Sequence, residues 1–444
     1  MEKIQLSDHF SLPRLVRFIL PSVVMLVFTS IYGVVDGLFV SNFAGKTPFA
    51  AINLIMPFLM AFGVLGFMVG TGGTALISKT LGEGDRKKAN ELFTMLTLVC
   101  ILGGIALTAV GYLLLAPMAK LMGAEGEILE NCITYGILVL PATTAYILQF
   151  AFQSFCVAAE KPNLSLAMMV ISGVCNIVLD ALFVAVFRWG LRGAAVATAV
   201  AQLIGVLLPL VYFARPNSSL LRFCRFRFDG KALLRTCTNG ASELMSNLSL
   251  TIVNILYNLQ LIRYAGENGI AAYGVIMYVN FFFISVFIGI AIGTAPIFGF
   301  HYGADNRVEL KNVFRKSLLL LGLCALAMTG GALLLAEPLS HIFVGYDPVL
   351  KELTVRGFRI YSISFLLCGF NIFSSSLFTA FNNGLISAVI SFVRTLLCQV
   401  AAVLLLPMIW ELDGFWFAIV AAEFAALVLT VVCFLKYRKR YHYM

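Results

Sequence analysis

Ser172-Gly-Val-Cys-Asn176-Ile-Val-Leu-Asp180 is the stretch that decides how this chain is read. It lies within a continuous apolar run from Leu164 to Phe187, long enough to cross a bilayer as a helix. Ser172, Asn176 and Asp180 recur every four residues and so share one helix face. A carboxylate turned toward hydrocarbon costs about 2.5–3.5 kcal/mol on insertion scales. Asp180 is therefore expected to face a polar interior, and the rest of the chain should show what shares it.

The composition agrees with a membrane setting. Of 444 residues, 60% are hydrophobic and 12% charged, against about 45–50% and 25% in a soluble domain. Backbone groups in lipid must be satisfied within helices or a closed barrel. The apolar runs are long and continuous, which favours helices over alternating barrel strands. The ten cysteines form no C-x-x-C pair, and most lie inside apolar runs, where small core residues are expected. The four histidines show no metal-ligand spacing. The polar start, Met1 to Arg17, leads directly into a full-length span, so no cleavable signal peptide is expected.

Twelve spans can be read, roughly over 15–40, 50–78, 92–119, 133–158, 164–187, 193–214, 239–264, 270–299, 317–336, 354–380, 386–407 and 414–435. Lys and Arg gather in the tails and the even-numbered connections: Lys3, Arg14 and Arg17, then Lys79, Arg86, Lys87 and Lys88, then Lys161. Arg215 to Arg235, Arg307 to Lys316 and Lys436 to Arg440 continue the series, while Glu125, Glu127, Glu130, Glu337, Asp347, Glu411 and Asp413 sit on the other side. By the positive-inside rule both termini and the central connector are cytoplasmic. The net charge of +9 follows from this rule and calls for no nucleic acid. The connector alternates Arg and Phe in Arg222-Phe-Cys-Arg-Phe-Arg-Phe228. An interfacial segment on the anionic inner leaflet fits it better than an RNA contact.

An offset of 221 residues relates the two halves. Trp189-Gly-Leu-Arg-Gly193 meets Trp410-Glu-Leu-Asp-Gly414, and two of the three tryptophans coincide. Ala44-Gly45 meets Ala265-Gly266, and Gly82, Arg86 and Phe93 meet Gly303, Arg307 and Phe314. Six spans per half is an even number, so both halves keep one orientation. The expected fold is all-α: twelve transmembrane helices in two six-helix bundles, related by a pseudo-two-fold axis along the membrane normal. The bundles are expected over 1–214 and 237–444, joined by a cytoplasmic connector over 215–236.

The polar residues at membrane depth are unequally shared. Asp36 lies near the outer end of span 1, Asn176 and Asp180 on span 5, and Thr198 and Gln202 on span 6. At about 1.5 Å per residue, Asp36, Asp180 and Thr198 fall roughly 5–11 Å below the outer boundary. Two carboxylates, an amide and a hydroxyl can hold a hard cation or trap a proton; separate polar residues satisfied by neighbouring helices are the simpler alternative. The second half has Tyr257, Leu397, Ala401 and Ile419 at the positions of Asp36, Asn176, Asp180 and Thr198. Its own polar members are Glu243, Asn254, Asn258, Arg394 and Glu423. Arg394 should pair with Glu243 or Glu423, either to fix packing or to serve substrate binding or gating. Pro21, inside span 1, permits a bend that is either fixed or changes in use. Gly63, Gly66, Gly70, Gly72 and Gly73 suit close helix approach on span 2.

On these features the chain resembles the multidrug and toxic compound extrusion (MATE) family over essentially its full length. The resemblance rests on the two six-helix halves and on the equivalent turns Gly82-Glu-Gly-Asp-Arg86 and Gly303-Ala-Asp-Asn-Arg307. It rests also on Pro21 fifteen residues before Asp36, and on the spacing of Asn176, Asp180 and Thr198. Ile31-Tyr-Gly-Val-Val-Asp36 looks similar to bacterial multidrug exporters. The resemblance implies an antiporter of the bacterial inner membrane, driven by H⁺ or Na⁺ and exporting bulky, often cationic organic compounds by alternating access. It assigns ion binding to Asp36, Asn176, Asp180 and Thr198, as metal ligands only in the Na⁺ case. Some relatives carry a coupling carboxylate in the second bundle, in a motif without a match here. The expected partners are small organic substrates, the coupling cation and membrane lipid, with the chain acting as a monomer and no cofactor. A lipid-linked precursor flippase of related fold would need several basic residues in its cavity, and Arg394 is the only one well inside a span. No nucleophile–base pair, zinc motif or phosphate loop suggests an enzyme, and a one-sided pair of acids suits a gated carrier better than a channel.

Overall fold

The computed structural model describes residues 4–40, 43 and 45–444, with side chains for all of these except 34, 36–38, 46 and 267. Among the described residues, twelve helical spans follow one another. The first half holds α1 Leu12–Phe39, α2 Thr47–Gly82, α3 Arg86–Leu121, α4 Gly126–Ala158, α5 Pro162–Val186 and α6 Gly190–Ala214. In the second half, α7 covers 230–265, α8 Asn268–Gly303, α9 Arg307–Val344, α10 Pro348–Ser362 with Phe365–Ala380, α11 Gly384–Leu405 and α12 Pro407–Tyr441. Ten of these are long and apolar enough to cross a membrane as they stand. The two pieces of α10, bent by 49°, make an eleventh. The remaining span, α7, is a continuous helix whose Asn239, Glu243, Asn247, Asn254 and Asn258 lower its hydropathy.

The helices run further than their apolar stretches. α9 starts ten residues before the expected 317, because the Asn306 side chain accepts the backbone N–H of Glu309 and caps the first turn. α7 likewise starts at Gly230, where Asp229 accepts from the N–H groups of Lys231 and Ala232. The connector is thus non-helical only as far as Asp229, and the expected 215–236 overlaps the first turns of α7. The non-helical part lies against α3. Its N–H groups at Arg222 and Cys224 donate to Asn90 and Thr94, and Phe223 stacks on Phe93 at 5.1 Å. Arg222, Arg225 and Arg227 remain exposed.

The 221-residue repeat is visible in the backbone itself. Left-handed φ values occur at Gly45 and Gly266, at Gly84 and Asp305, and at Gly190 and Glu411, each pair separated by that offset. At Gly266 φ is 60° and ψ −148°, a conformation open to glycine, and there the chain turns from α7 into α8. The caps repeat too, Asp85 on Lys88 N–H and Asn306 on Glu309 N–H. So do the bends: a 3-10 turn over Leu140–Ala142 interrupts α4, and the break in α10 after Ser362 is its counterpart.

The halves meet through small residues near the end that carries the basic loops and both termini, here the basic end. Gly72 lies against the Thr236 carbonyl, Gly240 against the Met68 carbonyl, Gly82 against the Phe300 carbonyl and Gly303 against the Lys79 carbonyl. Gly289 and Gly293 of α8 pack on Val23 and Ile19 of α1, on either side of Pro21. Without side chains in the way, backbones approach closely, which is what drives helix association in lipid. Asn382 adds a hydrogen bond to the Ala75 carbonyl, and the Ser30 and Ser285 hydroxyls meet at 2.7 Å between α1 and α8.

Candidate functional site: a polar layer in the first half

One apolar cluster runs through the second half and takes in Leu15, Phe18 and Ile19 of α1, whereas α2 to α6 of the first half pack around two. One, nearer the basic end, reaches Met169 on α5 and Val206 on α6. The other begins at Val184 on α5 and at Ala195 on α6. Ser172, Asn176 and Asp180 occupy the interval on α5, and Thr198 and Gln202 the interval on α6. The stripe read from the sequence is therefore a polar layer between two apolar clusters. In the second half Tyr257 and Ile419, the counterparts of Asp36 and Thr198, belong to the continuous core.

Hydrogen bonds fix the floor of this layer. Gln149 of α4 donates from Nε2 to the Ser172 hydroxyl and to the Gln202 carbonyl, both at 3.1 Å. Ser172 donates in turn to the Ala201 carbonyl at 3.0 Å. Gly205 makes room, since a Cβ there would come within 2.6 Å of Gln149 Nε2 and 2.8 Å of Ser172 Cβ. α5 and α6 are antiparallel, so one turn outward from Ser172 and Ala201 brings Asn176 level with Ala197 and Thr198. Another turn brings Asp180 level with the stretch Gly193–Val196 of α6. Gly193 keeps the two helices close there, since a Cβ on it would come within 3.0 Å of the Phe183 carbonyl.

Asp180 is fully buried, and Ser172 and Asn176 are each 4% exposed. Among the described residues, Asn176 Nδ2, Thr198 Oγ1 and Gln202 Oε1 are buried and lack a hydrogen-bond partner. Each buried polar atom left so costs about 1–3 kcal/mol, so a layer holding several of them is suited to a polar guest. α1 runs alongside α5 in the same direction: Ser165 Oγ donates to Met25 Sδ at 2.8 Å, and two turns further on a Cβ on Gly173 would meet Phe28 at 2.6 Å and Tyr32 at 3.1 Å. Asp36 follows Tyr32 by one turn on α1, and its side chain lies outside those described. Directly after Asp180 the helix widens into a π turn, Ala181–Val186, a feature common at functional sites. No group of three His, Cys, Asp or Glu side chains that could hold a metal occurs among the described residues, which leave out Asp36. The oxygens described in the layer are those of Asp180, the amides and the hydroxyls, a hard donor set that suits H⁺ or an alkali cation better than a transition metal.

The second half carries a different arrangement. Arg394, inside the π turn Val393–Cys398, donates from Nε to both Glu423 carboxylate oxygens at 2.9 and 3.0 Å, and from a terminal nitrogen at 2.8 Å. Asn371 donates to the same carboxylate at 2.7 Å and accepts from Thr430 at 2.8 Å. Of the two acids open to Arg394 in the sequence, the partner is Glu423; Glu243 on α7 is half-buried, and its carbonyl accepts from Asn247. Tyr257 stacks on Tyr273 at 4.9 Å, and Tyr273 donates to Asn254 at 2.9 Å. Pro21 is buried inside α1, between the approaches of Gly289 and Gly293. Sequence reading missed Gln149, the Ser30–Ser285 bond and the Gly289-x-x-x-Gly293 motif, of which only the last carries a local signal.

A family model described as MatE matches residues 21–182 and 244–404. The multidrug export protein MepA of Staphylococcus aureus is 23% identical over 433 residues, covering 96% of this chain and 92% of that protein. MepA of Staphylococcus haemolyticus is 22% identical over 426 residues, covering 96% and 90%. Among solved structures, the outward-facing conformation of a multidrug resistance MATE family transporter of the MOP superfamily superposes with a TM-score of 0.91 at 23% identity, covering 99% of this chain and 98% of that one. A MOP superfamily transporter from Pyrococcus furiosus, for which reverse polarity of the binding pocket suggests a different function, also gives 0.91 at 23% identity, with the same coverage.

Proposed function

The chain belongs to the MatE family, and from that premise we propose that it is a cation-coupled antiporter exporting bulky, often cationic organic compounds across the bacterial inner membrane. The observation that carries this reading is the polar layer that lies between two apolar clusters of the first half, where the second half has Tyr257 and Ile419, both in its apolar cluster, at the positions equivalent to Asp36 and Thr198. Asp180, Asn176 and Thr198, with Asp36 from α1, are the proposed cation site, holding H⁺ or Na⁺. The relatives named as multidrug export proteins support the substrate class.

The basic end is taken as cytoplasmic, with both termini there and the bundles meeting across the connector after residue 214. In this state the glycine contacts close that end, and substrate would leave from the opposite side. A cation binding one state more tightly than the other shifts the balance between them. α1 is the element placed to pass that shift on. It runs beside α5 near the polar layer and crosses α8 at Pro21, nearer the basic end. We propose that the chain carries out this cycle as a monomer.

A lipid-linked precursor flippase is the weaker reading. It would use unpaired cations to hold a pyrophosphate, and Arg394 is neutralised by Glu423. The decisive experiment is substrate efflux from proteoliposomes under an imposed pH gradient or an imposed Na⁺ gradient. Efflux driven by one of them identifies the ion. Efflux indifferent to both overturns cation coupling.

A further inference from the structure

Ahead of α1, residues 4–11 cross the basic ends of both halves. The Leu6 N–H donates to Glu160 Oε1 at 2.7 Å, at the turn between α4 and α5 in the first half. The Phe10 N–H donates to Glu309 Oε1 at 2.8 Å, and His9 Nδ1 lies 2.7 Å from Glu309 Oε2, at the start of α9 in the second half. Asn312 Nδ2 and Lys316 Nζ donate to the Phe10 carbonyl at 3.0 and 2.6 Å. The side chains of Leu6 and Phe10 are fully buried, and Glu160 and Glu309 are 8% and 5% exposed. Neither acid takes part in the polar layer. Hydrogen bonds to buried carboxylates are the strong kind. Glu160 also holds a left-handed φ of 58°, uncommon for a residue with a side chain.

We propose that residues 4–11 form a latch that holds the basic ends of the two halves together and must release one of its two carboxylates before those ends part. The latch rests on the alternating-access reading. Its strength sets how readily the closed basic end opens, and it works by tying a short segment to acids on opposite halves. The glycine contacts provide the surfaces that meet; the latch adds a tether across them.

Hydrogen-exchange mass spectrometry on the full-length protein in lipid nanodiscs tests this without substrate or ion gradient. Glu160→Ala and Glu309→Ala each remove one anchor, and Phe10→Ser loosens the segment while leaving both acids in place. The expected result is ~10-fold or faster exchange at the facing turns 79–86 and 299–306, with the far-end turn 122–126 unchanged. Faster exchange confined to residues 4–11 overturns the latch, as does a rise spread evenly through both halves, which marks general destabilisation. Because no gradient is applied, a failure of cation coupling leaves this pattern intact, and a failed latch leaves gradient-driven efflux intact.

Discussion

Gly82 and Gly303 are counterparts under the 221-residue offset, and each rests on backbone supplied by the other half: Gly82 on the Phe300 carbonyl, Gly303 on the Lys79 carbonyl. Lys79 and Phe300 are themselves counterparts, so the contact repeats itself about the pseudo-two-fold axis. A Cβ at either glycine would press on backbone, which cannot rotate away. Gly82→Ala and Gly303→Ala should therefore hold the basic ends apart. Overpacking of this kind costs about 1–3 kcal/mol, enough to cut efflux by about tenfold or more at equal expression. Wild-type efflux from both variants would show that these ends need not meet so closely.

Arg394 and Glu423 should behave as a unit. Their side chains are 14% and 2% exposed, so removing one partner leaves a buried charge at a cost of about 3–5 kcal/mol. Arg394→Leu and Glu423→Leu should each lower the melting temperature, and the double variant should recover most of the loss. Thermal unfolding of the purified proteins makes the comparison. If the double variant also keeps its efflux, the pair serves packing; if efflux is lost while stability returns, it serves substrate or gate.

Asp180 and Ser172 share a helix face but should separate in assay. Asp180→Asn is expected to abolish gradient-driven efflux while leaving the fold intact. Ser172→Ala loses the bond to the Ala201 carbonyl and the one accepted from Gln149, a loss of about 2 kcal/mol of stability at roughly 1 kcal/mol each, and should still export. Efflux at the wild-type rate from Asp180→Asn would remove the coupling role from this residue.

Pro21 distinguishes a fixed bend from a working one. Pro21→Ala restores a backbone donor inside α1 and stiffens it. If the bend changes during transport, efflux should fall several-fold while the melting temperature holds or rises. Unchanged efflux would make the proline a static packing feature between Gly289 and Gly293.

The spans and the repeat were legible because hydrocarbon thickness dictates apolar length and the 221-residue offset preserves turns as well as tryptophans. The polar face was legible because Ser172, Asn176 and Asp180 keep the helical period. Helix ends were not: Asn306 and Asp229 add capped polar turns that a hydropathy window passes over. The choice between Glu243 and Glu423 for Arg394 needed the helix rotation, which span order alone does not supply. The N-terminal latch was hidden for a different reason. Its partners lie about 150 and 300 residues away, and a segment of eight residues is too short for periodicity to reveal a buried face.

The asymmetry between Asp36 and Tyr257 puts the cation of the proposed cycle in one half only. Beyond what the cation's own concentration ratio would supply, one elementary charge crossing 100 mV would add about 2.3 kcal/mol to such a cycle. That sustains roughly a fifty-fold concentration ratio of a neutral compound. Against compounds that leak back through lipid, a cycle proposed to exchange one cation at a time would also depend on its turnover rate.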